Sequence, residues 1–333
     1  MKRKTIGILL GDPSGIGPEL ISKILFHKVL KNINIVIIGE KNILNQYLKK
    51  NTNHTNIKKI KNINQINFKD TNKVFLDISK NKKIYPLGKV NKNSGLSVLD
   101  SINKAVELYN LNIVDGINFA PFNKSSLELA GMKFKDELHY FKNKFKIKSY
   151  VCELNVLNNF WTARVTSHIP LREVSKNITI KNILAPIKLV NNYLLMNGVR
   201  SPKIGVQALN PHGEFGSEEK EIIIPAIQQA RKLNIQTFGP LPCDTSFIRA
   251  YKNKEFNCLV GMYHDAIQSG LKSFGFEKGV TVQGGLPIPI TTPAHGTAFD
   301  IVGKSKANVN PTLESLKLLI KLLSNRTKKI SLI

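Results

Sequence analysis

Cysteine is scarce in this chain of 333 residues: Cys152, Cys243 and Cys258 are its only three. An odd number with no CxxC argues against a disulfide scaffold or a zinc ribbon and fits a reducing, cytoplasmic setting. Long apolar runs are missing as well. No stretch approaches the ~18 residues of a membrane span. The start, MKRKTIGILLGDPSG, is basic like a signal peptide, but its apolar run from Ile6 to Leu10 stops at Gly-Asp-Pro and is too short for one. Acidic residues are few: 23 Asp and Glu stand against 49 Lys and Arg, for a formal net charge of +26. The lysines are scattered among Asn and Ile, as in NIKKIKNINQIN, with no aromatic RNA-recognition pattern and no zinc finger. This spread reads as a basic solvated surface left by coding bias. The alternative is attraction of anionic substrates or polyanions. There is no internal repeat, low-complexity linker or heptad seam.

What is present suits a sizeable core. Hydrophobic residues make up 42% of the chain, and the length fits about two domains. KTIGILLGD, INIVIIGE, KVFLD and GINFAPF read as buried strands. GPELISKILFHKVL reads as a helix, with Pro18 in its first turn and Ile21, Ile24, Leu25 and Val29 on one face. SGLSVLDSINKAVELYN is a second helix, with Ser94 as its cap. Farther on, NFWTARVTSHIPL alternates like a half-buried strand, and residues 179–197 form a helix. PKIGVQALNPHG is a strand ending in a turn, and SEEKEIIIPAIQQARKLN is a helix opened by Ser217 and acidic residues. FNCLVGMYHD is a strand running into polar residues, and NPTLESLKLLIKLLSN closes the chain as a helix. This βαβ rhythm predicts an α/β fold with a largely parallel sheet and helices on both faces.

GDPSGIGPE comes after a strand and opens a helix, so its backbone can approach a ligand or phosphate. Its glycines at 11, 15 and 17 fit neither GxGxxG nor a P-loop, and a plain strand–helix turn explains it equally well. The histidines say more. His168, His212 and His264 stand at the ends of strands, where open α/β sheets bind ligands. Three neutral imidazoles meeting there would bind a zinc-like divalent ion and leave positions for substrate. Asp265 and Asp244 would orient those rings. The alternative is three unrelated histidines, because no local metal spacing links them.

GDPSGIGPE, TSHIPLRE, LNPHGE, GPLPCDT, YHD and HGTAFDIVGK occur in this order. Together they resemble the 4-hydroxythreonine-4-phosphate dehydrogenase family of vitamin B6 biosynthesis, from Gly11 to about Pro311. The resemblance implies two α/β/α domains like those of isopropylmalate and isocitrate dehydrogenases, with the active-site cleft between them. The first domain would hold residues 1–122 and about 285–333; the second, residues 123–284, would carry the metal histidines and dimer contacts. It implies a homodimer, a divalent metal (Zn, Mg, Mn or Co) on His168, His212 and His264 at the dimer interface, and NAD as cofactor. In the wider group of decarboxylating dehydrogenases, an HG[ST]A loop holds the adenosine end of the dinucleotide. His295, Gly296, Thr297, Ala298, Asp300 and Asn308 match it here. Asp300 would accept hydrogen bonds from a ribose 2′-OH and repel a 2′-phosphate, favouring NAD over NADP. A helix-capping aspartate is the competing explanation. Lys272 matches a substrate-contacting lysine, and Lys124 matches another lysine at a strand end, for which an acid/base role and a plain surface lysine are the two readings.

The implied reaction is oxidation of a secondary hydroxyl to a ketone, with decarboxylation where a carboxylate lies β to it. The substrate positions depart from the family pattern. Glu137 and Leu138 replace a His-Thr pair, Thr281 replaces an asparagine, and Ile290 replaces an anion-reading arginine, whose bidentate fork isoleucine cannot supply. A phosphorylated hydroxy acid and a non-phosphorylated diol or dihydrodiol carboxylate both remain open as substrates. Two non-enzymatic readings stand beside them: a polyanion binder, and a metal-binding relic without catalysis.

Overall fold

The structure is a computed structural model and describes residues 3–48, 57–80, 84–275 and 278–325. Two compact units divide at Lys148/Ser149, Gly285/Leu286 and Leu323/Ser324. The sequence-based limits fell at 122/123 and 284/285; residues 1–2 and 326–333 lie outside the described residues. The first unit starts with β1 (Thr5–Leu9), α1 (Gly17–Ile24), β2 (Asn34–Gly39), α2 (Lys41–Leu48) and β3 (Lys58–Ile60). It continues through β4 (Lys73–Asp77), α3 (Lys92–Asn110), β5 (Gly116–Phe119), α4 (Lys124–Leu129) and α5 (Glu137–Lys144). The second unit holds β6 (Cys152–Leu157), β7 (Phe160–Arg164), α6 (Val174–Asn177), α7 (Ile180–Met196) and β8 (Lys203–Gln207). Then come α8 (Ile224–Lys232), β9 (Gln236–Leu241), α9 (Cys243–Phe247), β10 (Cys258–Gly261), α10 (His264–Ser273) and β11 (Val280–Gly284). The chain returns to the first unit with β12 (Ile290–Pro293) and α11 (Asn310–Asn325).

In the first unit the strands run in the order β3-β4-β2-β1-β5-β12, and every neighbouring pair is parallel. Parallel strands covered on both faces need continuous apolar runs, and β1 and β2 supply them. Ile6, Ile8, Ile35 and Ile37 pack with Ile21 and Ile24 of α1 and Leu316 and Leu319 of α11. Helix α3 buries Val98, Ile102 and Val106 and packs on β1 and β2.

The second unit has the order β11-β6-β7-β10-β8-β9. Strands β7, β10, β8 and β9 are parallel, whereas β11, β6 and β7 pair antiparallel. The hairpin β6–β7 explains the exception to the parallel expectation. Its two-residue turn, Asn158-Asn159, has φ of 49° and 71°, which Asn tolerates and which suits a tight hairpin. Helix α7 buries Ile183, Ile187, Val190 and Leu194 and packs on β7 and β10. Leu259 of β10 packs with Phe247, Ile267 and Leu271 of α9 and α10.

Four local expectations need correction. Helix α1 stops at Ile24 instead of reaching Val29, because His27 turns extended and its Nδ1 accepts the Val29 N–H at 3.2 Å. Ser94 does not cap α3; Asn91 does, its Oδ1 accepting the Ser94 N–H, while the buried Ser94 hydroxyl pairs with Ser14. The helix expected from Ser217 opens as a wide π turn over Glu219–Ile223 before α8. FNCLVGMYHD is not strand to its end: β10 stops at Gly261, and His264 just beyond it is the first residue of α10. Among the described residues, no helix is long and apolar enough to cross a membrane.

Candidate active site

The second unit places all three predicted metal histidines at one edge of its sheet. His168 comes after β7, His264 after β10 and His212 after β8, and these three parallel strands are neighbours. Parallel strands end on the same side, so their exit loops gather at the carboxyl edge. The β7 and β10 exits are laced together: the Thr166 N–H and hydroxyl both donate to the Met262 carbonyl, at 3.1 and 2.8 Å. The imidazoles of His168 and His264 face each other with ring centres 5.2 Å apart. They share a cleft of about 460 Å³ with Thr166, Ser167, Tyr263 and Asp265.

That separation fits a shared ion. Two imidazoles bound to one tetrahedral ion through nitrogens about 2.1 Å away have ring centres about 5 Å apart. The Nδ1 atoms are engaged elsewhere. His264 Nδ1 is 2.6 Å from Asp265 Oδ1, and His168 Nδ1 is 3.3 Å from Ser167 Oγ. A carboxylate on Nδ1 is the usual way a ligating imidazole is oriented through Nε2.

His212 is not gathered with them. Among the described residues, no group of three His, Cys, Asp or Glu is close enough to hold a metal. Its loop is nevertheless firmly built. Glu219 is buried and accepts the backbone N–H groups of Leu209 and Asn210 at 2.9 and 2.8 Å, plus the Asn210 amide. Burial pushes its carboxyl upward, but the Asn210 and Leu209 hydrogen bonds outweigh this and hold it below the ordinary range. His212 itself has φ of 58°, as His168 has 54°; both are left-handed positions uncommon for residues with a Cβ. Asp244 is exposed in the first turn of α9, just past the end of β9. Lys272 lies eight residues beyond His264 on α10, about 12 Å along the axis, so it is not packed around the imidazoles. Thr281 lies on β11, and its Oγ1 accepts from Asn155 Nδ2 at 3.1 Å.

The first unit holds the remaining candidates. The HGTA segment lies against the loop after β1. Ile16 N–H donates to the Thr297 carbonyl at 3.1 Å, and a Cβ on Gly15 would stand 3.0 Å from Thr297 Cβ. Ala298 is left-handed, with φ of 44°. Gly296 is exposed, with open space where a Cβ would be. His295 is half-buried, and burial lowers its pKa despite a bond to the Gly296 carbonyl. Its ring is therefore neutral near pH 7, and its buried Nε2 lacks a hydrogen-bond partner. An orphaned polar atom beside an open glycine backbone fits a ligand-holding loop. Asp300 is exposed inside a short 3₁₀ turn whose cap is Ala298, so the capping explanation for it does not hold. Asn308 is exposed, and its Oδ1 already accepts the Asn310 N–H at the start of α11.

Lys124 is exposed at the first residue of α4, and Glu137 opens α5 behind the Asp136 cap. Leu138 and Ile290, taken as substrate positions, are 2% and 0% exposed. Ile290 pairs with Ile117 inside the sheet, and Leu138 belongs to the buried face of α5, so neither side chain reaches a ligand here. Sequence reasoning missed Arg164, a buried arginine that touches Ser167, Asn155 and Glu153. The signal was a lone charged residue within the otherwise uncharged strand FWTAR.

Comparison with known proteins adds the family. A Pasteurella multocida protein, provisionally named a 4-hydroxythreonine-4-phosphate dehydrogenase, is 42% identical over 315 residues, covering 92% of this chain and 93% of its own. D-threonate 4-phosphate dehydrogenase of Salmonella typhimurium is 32% identical over 328 residues, with 97% and 100% covered. The crystal structure of 4-hydroxythreonine-4-phosphate dehydrogenase from Klebsiella pneumoniae is 30% identical, with a TM-score of 0.82 over 96% of this chain and 98% of that one. A β-decarboxylating dehydrogenase of Thermococcus kodakarensis, 13% identical with a TM-score of 0.54, shares the fold. The family model for the pyridoxal phosphate biosynthetic protein PdxA matches residues 31–319. With its α/β units, its strand-end histidines and these relatives, the chain belongs to the PdxA family of dehydrogenases.

Proposed function

We propose that the protein is an NAD- and divalent-metal-dependent dehydrogenase. It oxidises the secondary hydroxyl of a phosphorylated hydroxy acid to a ketone, with loss of CO2 where the carboxylate lies β to that ketone. The substrate class is the one carried by the relatives' names: 4-hydroxythreonine 4-phosphate or D-threonate 4-phosphate. The observation that carries the reading is the imidazole pair His168 and His264 at 5.2 Å, with Asp265 behind one ring. A divalent ion (Zn, Mg, Mn or Co) held by these imidazoles would supply Lewis acidity toward the substrate hydroxyl, and NAD would supply the hydride-accepting chemistry.

The chain's own residues do the rest. Asp265 holds His264 in the tautomer whose Nε2 lone pair faces the cleft. His212 is assigned as the third ligand, its loop held by Glu219, in a homodimer whose subunits share the site. Lys272 attracts the substrate's carboxylate or phosphate, and Lys124 or Asp244 serves in proton transfer. His295 to Ala298 hold the adenosine end, and Asp300 selects NAD through the ribose 2′-OH.

A second reading has one observation in its favour. The buried Ile290 offers no anion-reading fork, which suits a non-phosphorylated diol or hydroxy acid. The test is one panel: phosphorylated and unphosphorylated hydroxy acids and diols, with NAD and each metal, monitored by NADH absorbance. We expect the phosphorylated acids to be preferred by about 100-fold or more in kcat/KM, roughly 2.7 kcal/mol of charge-assisted binding. The signal should vanish with chelator and in His212→Ala. Faster turnover of the unphosphorylated set would replace the first reading by the second, and no NADH with any metal would end both.

A further inference from the structure

We propose that Arg164 is a positioning residue that sets the spacing of the two imidazoles; the inference rests on the metal reading of His168 and His264. Arg164 ends β7 and is 3% exposed. Each nitrogen of its guanidinium donates a hydrogen bond: Nη2 to Glu153 Oε2 at 2.6 Å, Nη1 to Asn155 Oδ1 at 2.8 Å and Nε to Ser167 Oγ at 2.9 Å. A buried ion pair is weak as a source of stability, because an apolar pair of similar size does as well. Its use is geometric, since a planar guanidinium holds its acceptors in fixed directions.

The network reaches both histidine segments. On one side, Ser167 Oγ contacts His168 Nδ1 at 3.3 Å. His168 sits in a left-handed conformation that persists only where its neighbours are held. On the other side, Asn155 Oδ1 also accepts Gln268 Nε2 at 2.6 Å. Gln268 is four residues beyond His264 on α10 and so lies on the same helix face. Asn155 further holds Thr281 through its Nδ2. One arginine thus connects the loop that carries the first ring to the helix that carries the second.

The test is Co²⁺ binding by the purified protein, monitored by visible absorption, with melting temperature measured alongside. The variants are Ser167→Ala, the double change Arg164→Met with Glu153→Met, and the conservative Ser167→Thr. Changing a residue that orients a ligand weakens metal binding by about 10- to 100-fold. We expect at least about 10-fold weaker Co²⁺ binding and an altered spectrum in Ser167→Ala and in the double variant, with near wild-type binding in Ser167→Thr. Ser167→Ala carries the test alone if the double variant does not fold. Ser167→Ala binding within about 10-fold of wild type overturns the inference while leaving the metal reading intact. A wild type that takes up no Co²⁺ overturns both.

Discussion

Asp12 is fully buried in the loop after β1, and its Oδ2 has no hydrogen-bond partner. Burial raises its pKa; the Ser14 N–H and the nearby Ser94 and Ser126 hydroxyls oppose this without cancelling it. A raised folded-state pKa means the folded protein holds the proton more tightly than the unfolded chain does. Stability from this group is complete below the unfolded value of 3.8 and is lost as pH rises through the higher folded value. Asp12→Asn keeps an acceptor for Ser14 and removes the buried charge. We expect it to raise Tm at pH 7, with the gain shrinking toward zero as pH falls below about 4; a gain equal at pH 7 and pH 3.5 would contradict this. The same sensitivity to burial explains the cysteines. Burial pushes Cys152 and Cys243 up to about 11, so they stay as thiols, in keeping with their lack of any paired spacing. The histidines could be picked from strand ends. The burial of Ile290 could not, because an isoleucine after Gly-Leu-Pro-Ile-Pro suits a loop as well as a strand.

The loop between β1 and α1 shows how little side chain the candidate cofactor segment tolerates. Gly11 has φ of +83°, and a Cβ there would lie 2.8 Å from the Pro121 carbonyl oxygen. Gly15 has an ordinary backbone, but it meets Thr297 directly. Gly15→Val would push Thr297 away and break the Ile16–Thr297 hydrogen bond. We expect KM for NAD to rise about tenfold, equivalent to about 1.4 kcal/mol, with substrate KM and metal affinity within about twofold. Unchanged KM for NAD would separate this loop from the cofactor. Element types were readable where the pattern was long: α7, α11 and the apolar strands β1, β2 and β4 lie where period and run length put them. The stop of α1 and the π turn before α8 were not, since a capping imidazole and a widened turn leave the apolar spacing unchanged.

The net charge of +26 acts on the molecule as a whole. An excess of this size raises encounter rates with anions, and salt screens it. For a phosphorylated substrate we expect kcat/KM to fall several-fold between about 50 and 300 mM salt, with kcat nearly constant. A salt-independent kcat/KM would make the charge irrelevant to substrate capture. Amino-acid order alone was enough for the α/β class, the family and the strand-end positions of the histidines, because these depend on local periodicity and on contiguous motifs. Folding was needed to put His168 beside His264, to leave His212 apart, and to bury Leu138 and Ile290. Those outcomes depend on which strands become neighbours and which face of each turns inward. Strand order is set by contacts between residues far apart in the chain, such as Arg164 with Gly261 and Ile290 with Ile117. No local pattern encodes such pairings.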